Sequence, residues 1–209
     1  YGGNKNLPYT EDSSVDHPVS LYAATKKSNE LMAHTYSHLY SLPSTGLRFF
    51  TVYGPFGRPD MALYLFIEAY YKKKKINIFN KGRMFRDFTF VEDIAEGVLK
   101  ILSKKPKVNK KFNHLKPIPS KSSAPFNIFN IGNGKKVHLM KFINILEKKL
   151  GSKIKKNFLP MQMGDVRQTL SDITKLNKMT GYSSKTDVDK GVSKFVDWYN
   201  EYFKKKNKI

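Results

Sequence analysis

The sequence predicts an α/β fold built on parallel strands, and three observations carry that prediction. Short apolar, β-branched and aromatic runs at 46–53, 76–79 and 126–131 alternate with longer segments whose apolar residues recur at spacings of three and four, the pattern of strands joined by helical crossovers. Two of these runs close on strand-ending turn chemistry, Gly54-Pro55 and Gly132-Asn133-Gly134. With 40% hydrophobic and 13% aromatic residues in 209, the chain has material for a packed core rather than for a disordered segment.

The elements follow in order. Residues 4–17 are polar and interrupted by Pro8, which reads as a surface loop, with Asp16 and His17 solvated on it. Pro18 and Ser20 form a helix entry with Ser20 as N-cap. Leu21, Ala24, Ser28, Leu31, Thr35 and Leu39 then trace a narrow stripe along a helix ending near Ser41-Leu42-Pro43. Residues 46–53 read as one buried parallel strand. Ligands of open α/β sheets sit at the carboxyl ends of strands, so contacts are expected from Phe50 to Pro55.

A helix over 60–75, with Met61, Leu65, Glu68, Ala69 and Lys72 on one side, is closed by four lysines and followed by a strand at 76–79 and a turn at 80–83. The next helix carries Ile94, Val98, Ile101 and Leu102 at the spacing of one buried face. Asp87 and Asp93 near its start suit the positive end of a helix, and capping is the role expected of both. Residues 103–123, rich in Lys, Pro, Ser and Asn, read as a long mobile loop. After the strand at 126–131, a helix places Leu139, Phe142, Ile143, Leu146 and Leu150 on one side and stops at Gly151. A last helix buries Val192, Phe195, Val196, Tyr199 and Phe203 ahead of a solvated lysine tail.

The chemistry begins at Tyr22 and Lys26. Residues at i and i+4 share a helix face about 5–6 Å apart, so an ammonium stands near a phenol. Holding a free phenol ionised at neutral pH requires roughly 4 kcal/mol, and a cation about 4 Å away, in surroundings of dielectric about 20, supplies about that much. The pair is a candidate proton-transfer device. By spacing alone, the same two residues also occur as ordinary helix surface.

Net charge is +21, which on its face suggests nucleic acid or an anionic membrane. Only five of the 38 basic residues are arginine (48, 58, 83, 86 and 167), and the lysines are spread over the whole chain. A nucleic-acid reader enriches arginine for its planar fork, so no nucleic-acid partner is expected. No apolar run reaches the about 20 residues that span a bilayer, so no membrane partner is expected either. The absence of cysteine fits a reducing cytoplasm.

Four segments carry a family resemblance: Tyr1-Gly2-Gly3; Tyr22-x-x-x-Lys26; Gly46-Leu47-Arg48-Phe49-Phe50-Thr51-Val52-Tyr53-Gly54-Pro55; and Arg86-Asp87-Phe88-Thr89-Phe90-Val91-Glu92-Asp93. With residues 124–133 and Gly164-Asp165, they closely resemble the extended short-chain dehydrogenase/reductases that act on nucleotide sugars, and among these the UDP-glucuronate 4-epimerases. The resemblance implies an incomplete Rossmann-like fragment, a doubly wound parallel sheet with a small interleaved α/β substrate-binding region. Residues 1–55 would be the later part of an NAD-binding domain. Residues 56–209 would mainly bind UDP-sugar, with 86–102 and 126–133 returning to the Rossmann sheet and 103–123 as the flexible loop. No glycine-rich strand-to-helix turn is found in the chain, and the catalytic Ser or Thr of the family would precede Tyr1. The expectation is an N-terminally truncated form, inactive and exposing a sheet edge when alone.

By the same resemblance, Tyr22 would accept the proton of the sugar 4-hydroxyl while hydride leaves C4 for NAD, and Lys26 would bind the nicotinamide ribose. Phe49 and Val52 would line the cofactor. Thr51 and Arg58 would bind the C5 carboxylate, although an ordinary salt bridge from Arg58 to Asp60 is an equally simple local reading. Arg86, Asp165 and Arg167 would contact UDP, and the Tyr22 helix would take part in a homodimer contact. Ser171 stands where the family's G-D-V-x-x-T-x-A-D segment has Ala. A UDP-galactose-type epimerase, a sugar 4,6-dehydratase, a residual UDP-sugar-binding module and a subunit of a split protein remain as alternatives.

Overall fold

In the computed structural model, which describes residues 1–206, with side chains through 203, the 46–53 run is not one strand but two. β1 (Ser44–Phe49) lies parallel to β5 (Phe126–Ile131), with Ser44 opposite Phe126 and Phe49 opposite Ile131. At Phe50, whose N–H still donates to the Ile131 carbonyl (3.1 Å), the chain changes neighbours. β2 (Thr51–Tyr53) then runs parallel to β4 (Phe85–Phe90). β3 (Ile76–Ile78) pairs in parallel with β7 (Lys156–Phe158). β6 (Lys136–His138) adds an antiparallel strand to β4 that the sequence did not announce. The parallel α/β class stands, divided into small sheets.

Six helices join and cover these strands: α1 (Leu21–Tyr40), α2 (Ala62–Tyr71), α3 (Val91–Leu102), α4 (Leu139–Leu150), α5 (Thr174–Thr180) and α6 (Val188–Lys206). α4 is the expected one: Phe142, Ile143 and Leu146 are fully buried, and Gly151 ends it in the left-handed conformation at φ 78°. α2 differs from expectation. Its buried residues are Leu63, Phe66 and Ile67, while the side bearing Leu65, Glu68 and Lys72 faces outward, with Lys72 and Glu68 ion-paired at 2.7 Å. On α3, Ile94 and Ile101 are buried as predicted, but Leu102 is 73% exposed because the helix ends there, beyond the core it covers. The lysine tail expected from residue 204 onward lies outside the described side chains.

The larger core lies between β4, α2, α4 and α6, where Phe88 stacks on Phe142 at a centroid distance of 4.0 Å and Tyr53 meets Phe142 edge-on at 5.5 Å. A smaller core joins α3 and α5 to β5 through Ile94, Ile131, Leu176 and Tyr182. The 4–17 loop is not purely surface. Tyr9 and Glu11 are both buried, and the Tyr9 carbonyl accepts from Asn130 Nδ2 (2.8 Å) while Glu11 accepts from the Asn130 N–H (2.9 Å). Residues 103–123 contain neither helix nor named strand, but turns, bends and isolated bridges from Ile118 to Lys121 and from Lys121 to Asn127 on β5.

Both acidic residues expected as caps of α3 do something else. Asp93, in its first turn, accepts from Ser184 Oγ (2.6 Å), Lys185 N (3.1 Å), Thr186 N (3.0 Å) and Thr186 Oγ1 (2.9 Å), and so ties α3 to the approach to α6. Burial works to raise its carboxyl, but these bonds outweigh it and hold the group below the usual carboxylate range. The stability it contributes is therefore present above the unfolded value near pH ~4 and lost as pH falls through the lower folded value. Asp93→Asn is expected to cost about 1–3 kcal/mol at pH 7 and progressively less below pH ~4, a difference readable from thermal melts at pH 7 and pH 3.

Candidate active site

The Tyr22 helix starts as its sequence dictates. Ser20 is extended (φ −151°), and its hydroxyl accepts from the Ala23 N–H at 3.2 Å, satisfying one of the unpaired donors of the first turn. One turn in, Lys26 places its Nζ 5.3 Å from the centre of the Tyr22 ring. Tyr22 is 70% exposed and Lys26 is exposed too. Among the described residues, neither the Tyr22 hydroxyl nor the Lys26 ammonium has a hydrogen-bond partner in the protein, whereas Thr25 Oγ1 turns back to the Tyr22 carbonyl (2.8 Å).

At the carboxyl ends of β1 and β2, Phe49 is 52% exposed and open to a ligand, Thr51 is half-buried, and Val52 packs towards the smaller core with Ile94. Next comes Gly54 at φ 139°, where a Cβ would stand 2.6 Å from Val91 Cγ1, so the turn after β2, packed against the start of α3, requires glycine. Beyond it the loop presents Arg58. The salt bridge to Asp60 is present, Nε to Oδ1 at 3.0 Å and Nη2 to Oδ2 at 2.5 Å, with both side chains exposed. Asp60 raises the Arg58 guanidinium above its ordinary value, and Tyr22 contributes in the same direction.

Two predicted UDP contacts meet directly. Arg86, on β4, donates from Nη2 to Asp165 Oδ1 at 2.7 Å. Burial lowers the Arg86 guanidinium and Asp165 opposes that. Asp165 is carried by a loop that turns at Gly164 (φ 76°), and a Cβ there would stand 3.2 Å from the Val19 carbonyl and 3.8 Å from Ser20 Cβ. That loop therefore lies against the entrance to α1, and the Arg86–Asp165 pair sits at the same end of the molecule as Tyr22. Arg167 has an exposed side chain, and it is the Arg167 carbonyl that is engaged, by Phe85 N at 2.9 Å.

Asp87 was missed as a site-building residue. Fully buried, it accepts at Oδ1 from Asn133 N (2.8 Å) and Thr89 Oγ1 (3.3 Å), and at Oδ2 from Gly134 N (3.1 Å), Ser171 N (2.9 Å) and Ser171 Oγ (2.6 Å). Its position shortly ahead of α3 suits a helix-start charge, the role the sequence predicts for it. The signal that distinguishes it is the Gly132-Asn133-Gly134 turn, which frees backbone N–H groups, although the sequence does not show that they converge on Asp87. Among the described residues there is no group of three or more His, Cys, Asp or Glu suited to a metal ion, and no helix long and apolar enough to cross a membrane.

Parallel strands in small sheets, joined and covered by helices, define a Rossmann-like α/β protein, with the Tyr22–Lys26 and Arg86–Asp165 pairs at one end. Residues 1–114 match the profile of the NAD dependent epimerase/dehydratase family. The chain belongs to that family. It is 50% identical over 205 residues to Protein CapI of Staphylococcus aureus, covering 98% of this chain and 61% of that protein. Against the probable UDP-glucuronate 4-epimerase of Rhizobium meliloti it is 43% identical over 206 residues, covering 98% and 60%. Among solved structures, the UDP-glucuronic acid 4-epimerase from Bacillus cereus in complex with UDP-glucuronic acid and NAD superposes with a TM-score of 0.75 at 32% identity, over 91% of this chain and 56% of that one. The chain thus spans about three-fifths of the length of these relatives.

Proposed function

We propose that this chain supplies the substrate-binding and proton-transfer portion of a UDP-glucuronate 4-epimerase, which interconverts UDP-glucuronate and UDP-galacturonate at C4. The observation that carries this reading is the Tyr22–Lys26 pair, ammonium over phenol and both polar heads free of hydrogen bonds among the described residues, at the end of the molecule where Arg86 meets Asp165. The names of the relatives favour the glucuronate substrate over neutral sugars. Bound NAD would supply a reversible hydride acceptor for C4. The residues that fit its nicotinamide-ribose end are the unpartnered Tyr22 and Lys26 and the open Phe49; Val52, turned to the core, would support that wall from behind.

In this reading Tyr22 takes the proton of the 4-hydroxyl and later returns it to the 4-oxygen, once the sugar has turned to present the opposite face of C4. Lys26 favours the ionised phenol and offers its ammonium to ribose hydroxyls. Arg86, Asp165 and Arg167 hold the UDP end. Thr51 and Arg58 hold the C5 carboxylate, Arg58 exchanging the Asp60 carboxylate for that of the sugar. The exposed Leu31, Met32, Tyr36, Leu39 and Tyr40 on α1 support a homodimer contact along that helix. In this reading the protein works in the cytoplasm on UDP-sugars and takes no nucleic-acid partner.

The direct test is incubation of the complete natural polypeptide with UDP-glucuronate and NAD, following UDP-galacturonate. No product with this substrate, but epimerisation of UDP-glucose or loss of water from it, would favour a galactose-type epimerase or a 4,6-dehydratase instead. Arg58→Ala is expected to weaken UDP-glucuronate by about 10- to 100-fold, the worth of a charge-assisted hydrogen bond, while barely changing UDP-glucose. Equal losses for the two sugars would remove Arg58 from carboxylate recognition.

A further inference from the structure

Asp87 is a carboxylate that forms no salt bridge among the described residues and is satisfied instead by three backbone N–H groups and two hydroxyls. Apart from Thr89, which lies on β4 itself, these donors come from two segments distant in sequence, the 132–134 turn after β5 and the 168–171 strap. The strap runs beside the start of β4: Phe85 N donates to the Arg167 carbonyl (2.9 Å), Thr169 N to the Phe85 carbonyl (3.2 Å), and Asp87 N to Thr169 Oγ1 (3.1 Å). At Gly132 a Cβ would come within 2.4 Å of Ser171 Oγ and 3.2 Å of Asp87 Oδ2, so the turn closes on the pair without room for a side chain. Arg86 precedes Asp87 on β4, and Asp165 precedes the strap, so the knot at Asp87 fixes the register of the two chains that carry the Arg86–Asp165 pair.

We infer that Asp87, with Ser171, is a positioning residue for the nucleoside-diphosphate end of the site, acting through Arg86. Its anion gathers the strap onto β4, and Asp165 and Arg86 are thereby held at 2.7 Å, facing the entrance of α1. Ser171, present where the family's segment has Ala, supplies the shortest of the five bonds. This inference rests on the reading of Arg86 as a UDP ligand, and the experiment separates the two.

The probe is UDP, titrated calorimetrically into the complete natural polypeptide well below its melting temperature, with near-ultraviolet circular dichroism reporting the fold. Arg86→Ala is expected to weaken UDP about tenfold or more. Asp87→Asn, which turns one acceptor oxygen into a donor facing N–H groups, is expected to weaken UDP about as much. The double variant should bind within about twofold of Arg86→Ala alone, since residues acting as one unit are not additive. An Asp87→Asn protein that melts earlier but binds UDP as before would overturn the inference and leave Arg86 in place. So would losses that multiply in the double variant. If Asp87→Asn does not fold, Ser171→Ala removes one bond only and is expected to weaken UDP about threefold; unchanged binding there overturns the inference. Undiminished UDP binding by Arg86→Ala overturns the functional reading of Arg86, and the inference with it.

Discussion

Tyr22→Phe is expected to lower the turnover of the complete natural polypeptide by about 10²- to 10⁴-fold, the usual contribution of one positioned proton-transfer group and about 3–5 kcal/mol of barrier. The substitution removes one oxygen and keeps the ring. Because Tyr22 is 70% exposed and its hydroxyl is not bonded within the protein, the fold has almost nothing to lose, and a change in stability within about 0.5 kcal/mol is expected. UDP affinity should be retained, since Arg86 and Asp165 are untouched. Initial rates with UDP-glucuronate, paired with a thermal melt, separate these effects. Turnover equal to that of the natural protein would take Tyr22 out of the chemistry, and a large fall in melting temperature would show that the ring hydroxyl has a structural duty.

Phe142→Ala should have the largest effect on stability. Phe142 is fully buried, stacked on Phe88 at 4.0 Å and edge-on to Tyr53 at 5.5 Å, so truncation removes apolar burial and leaves a cavity in a core shared by β2, β4 and α4. The expected cost is about 3–5 kcal/mol, a fall in melting temperature of about 6–20 °C for a chain of this size. Phe142→Leu, which fills most of the space, should cost less than half as much. Melting curves for the two variants check the ranking, and an alanine variant as stable as the natural chain would mean that the core repacks around the gap.

The site was legible where its chemistry is local. Ser20, Tyr22 and Lys26 lie within two turns of one helix, so the spacing of the pair follows from helix geometry alone. Arg58 and Asp60 are two residues apart, and the salt bridge between them was equally readable. Arg86 and Asp165 were each recognisable from their segments, but their pairing was not, because 79 positions separate them. Asp87 was misread for the same reason. A lone acidic residue ahead of a helix looks like a cap, and only the folded chain brings Asn133, Gly134 and Ser171 to it. On α2 the side carrying Leu65, Glu68 and Lys72 proves to be the outward one; a ten-residue helix with apolar residues nearly all round, including Leu63, Leu65, Phe66 and Ile67, gives periodicity little to discriminate.

By itself the sequence determined the class of fold, the extent of α1, α4 and β5, and the placing of Tyr22 and Lys26 one turn apart on a helix, since each depends on interactions within a few residues: hydrogen bonds along a helix, alternation along a strand, a glycine at a helix end. Only the tertiary structure decided that the 46–53 run divides between two partners at Phe50, that Tyr9 and Glu11 leave their loop for the interior, and that Asp87 binds three segments together. Those outcomes depend on which distant backbone groups still need a partner once the core has closed, and that choice is made among segments far apart in the chain.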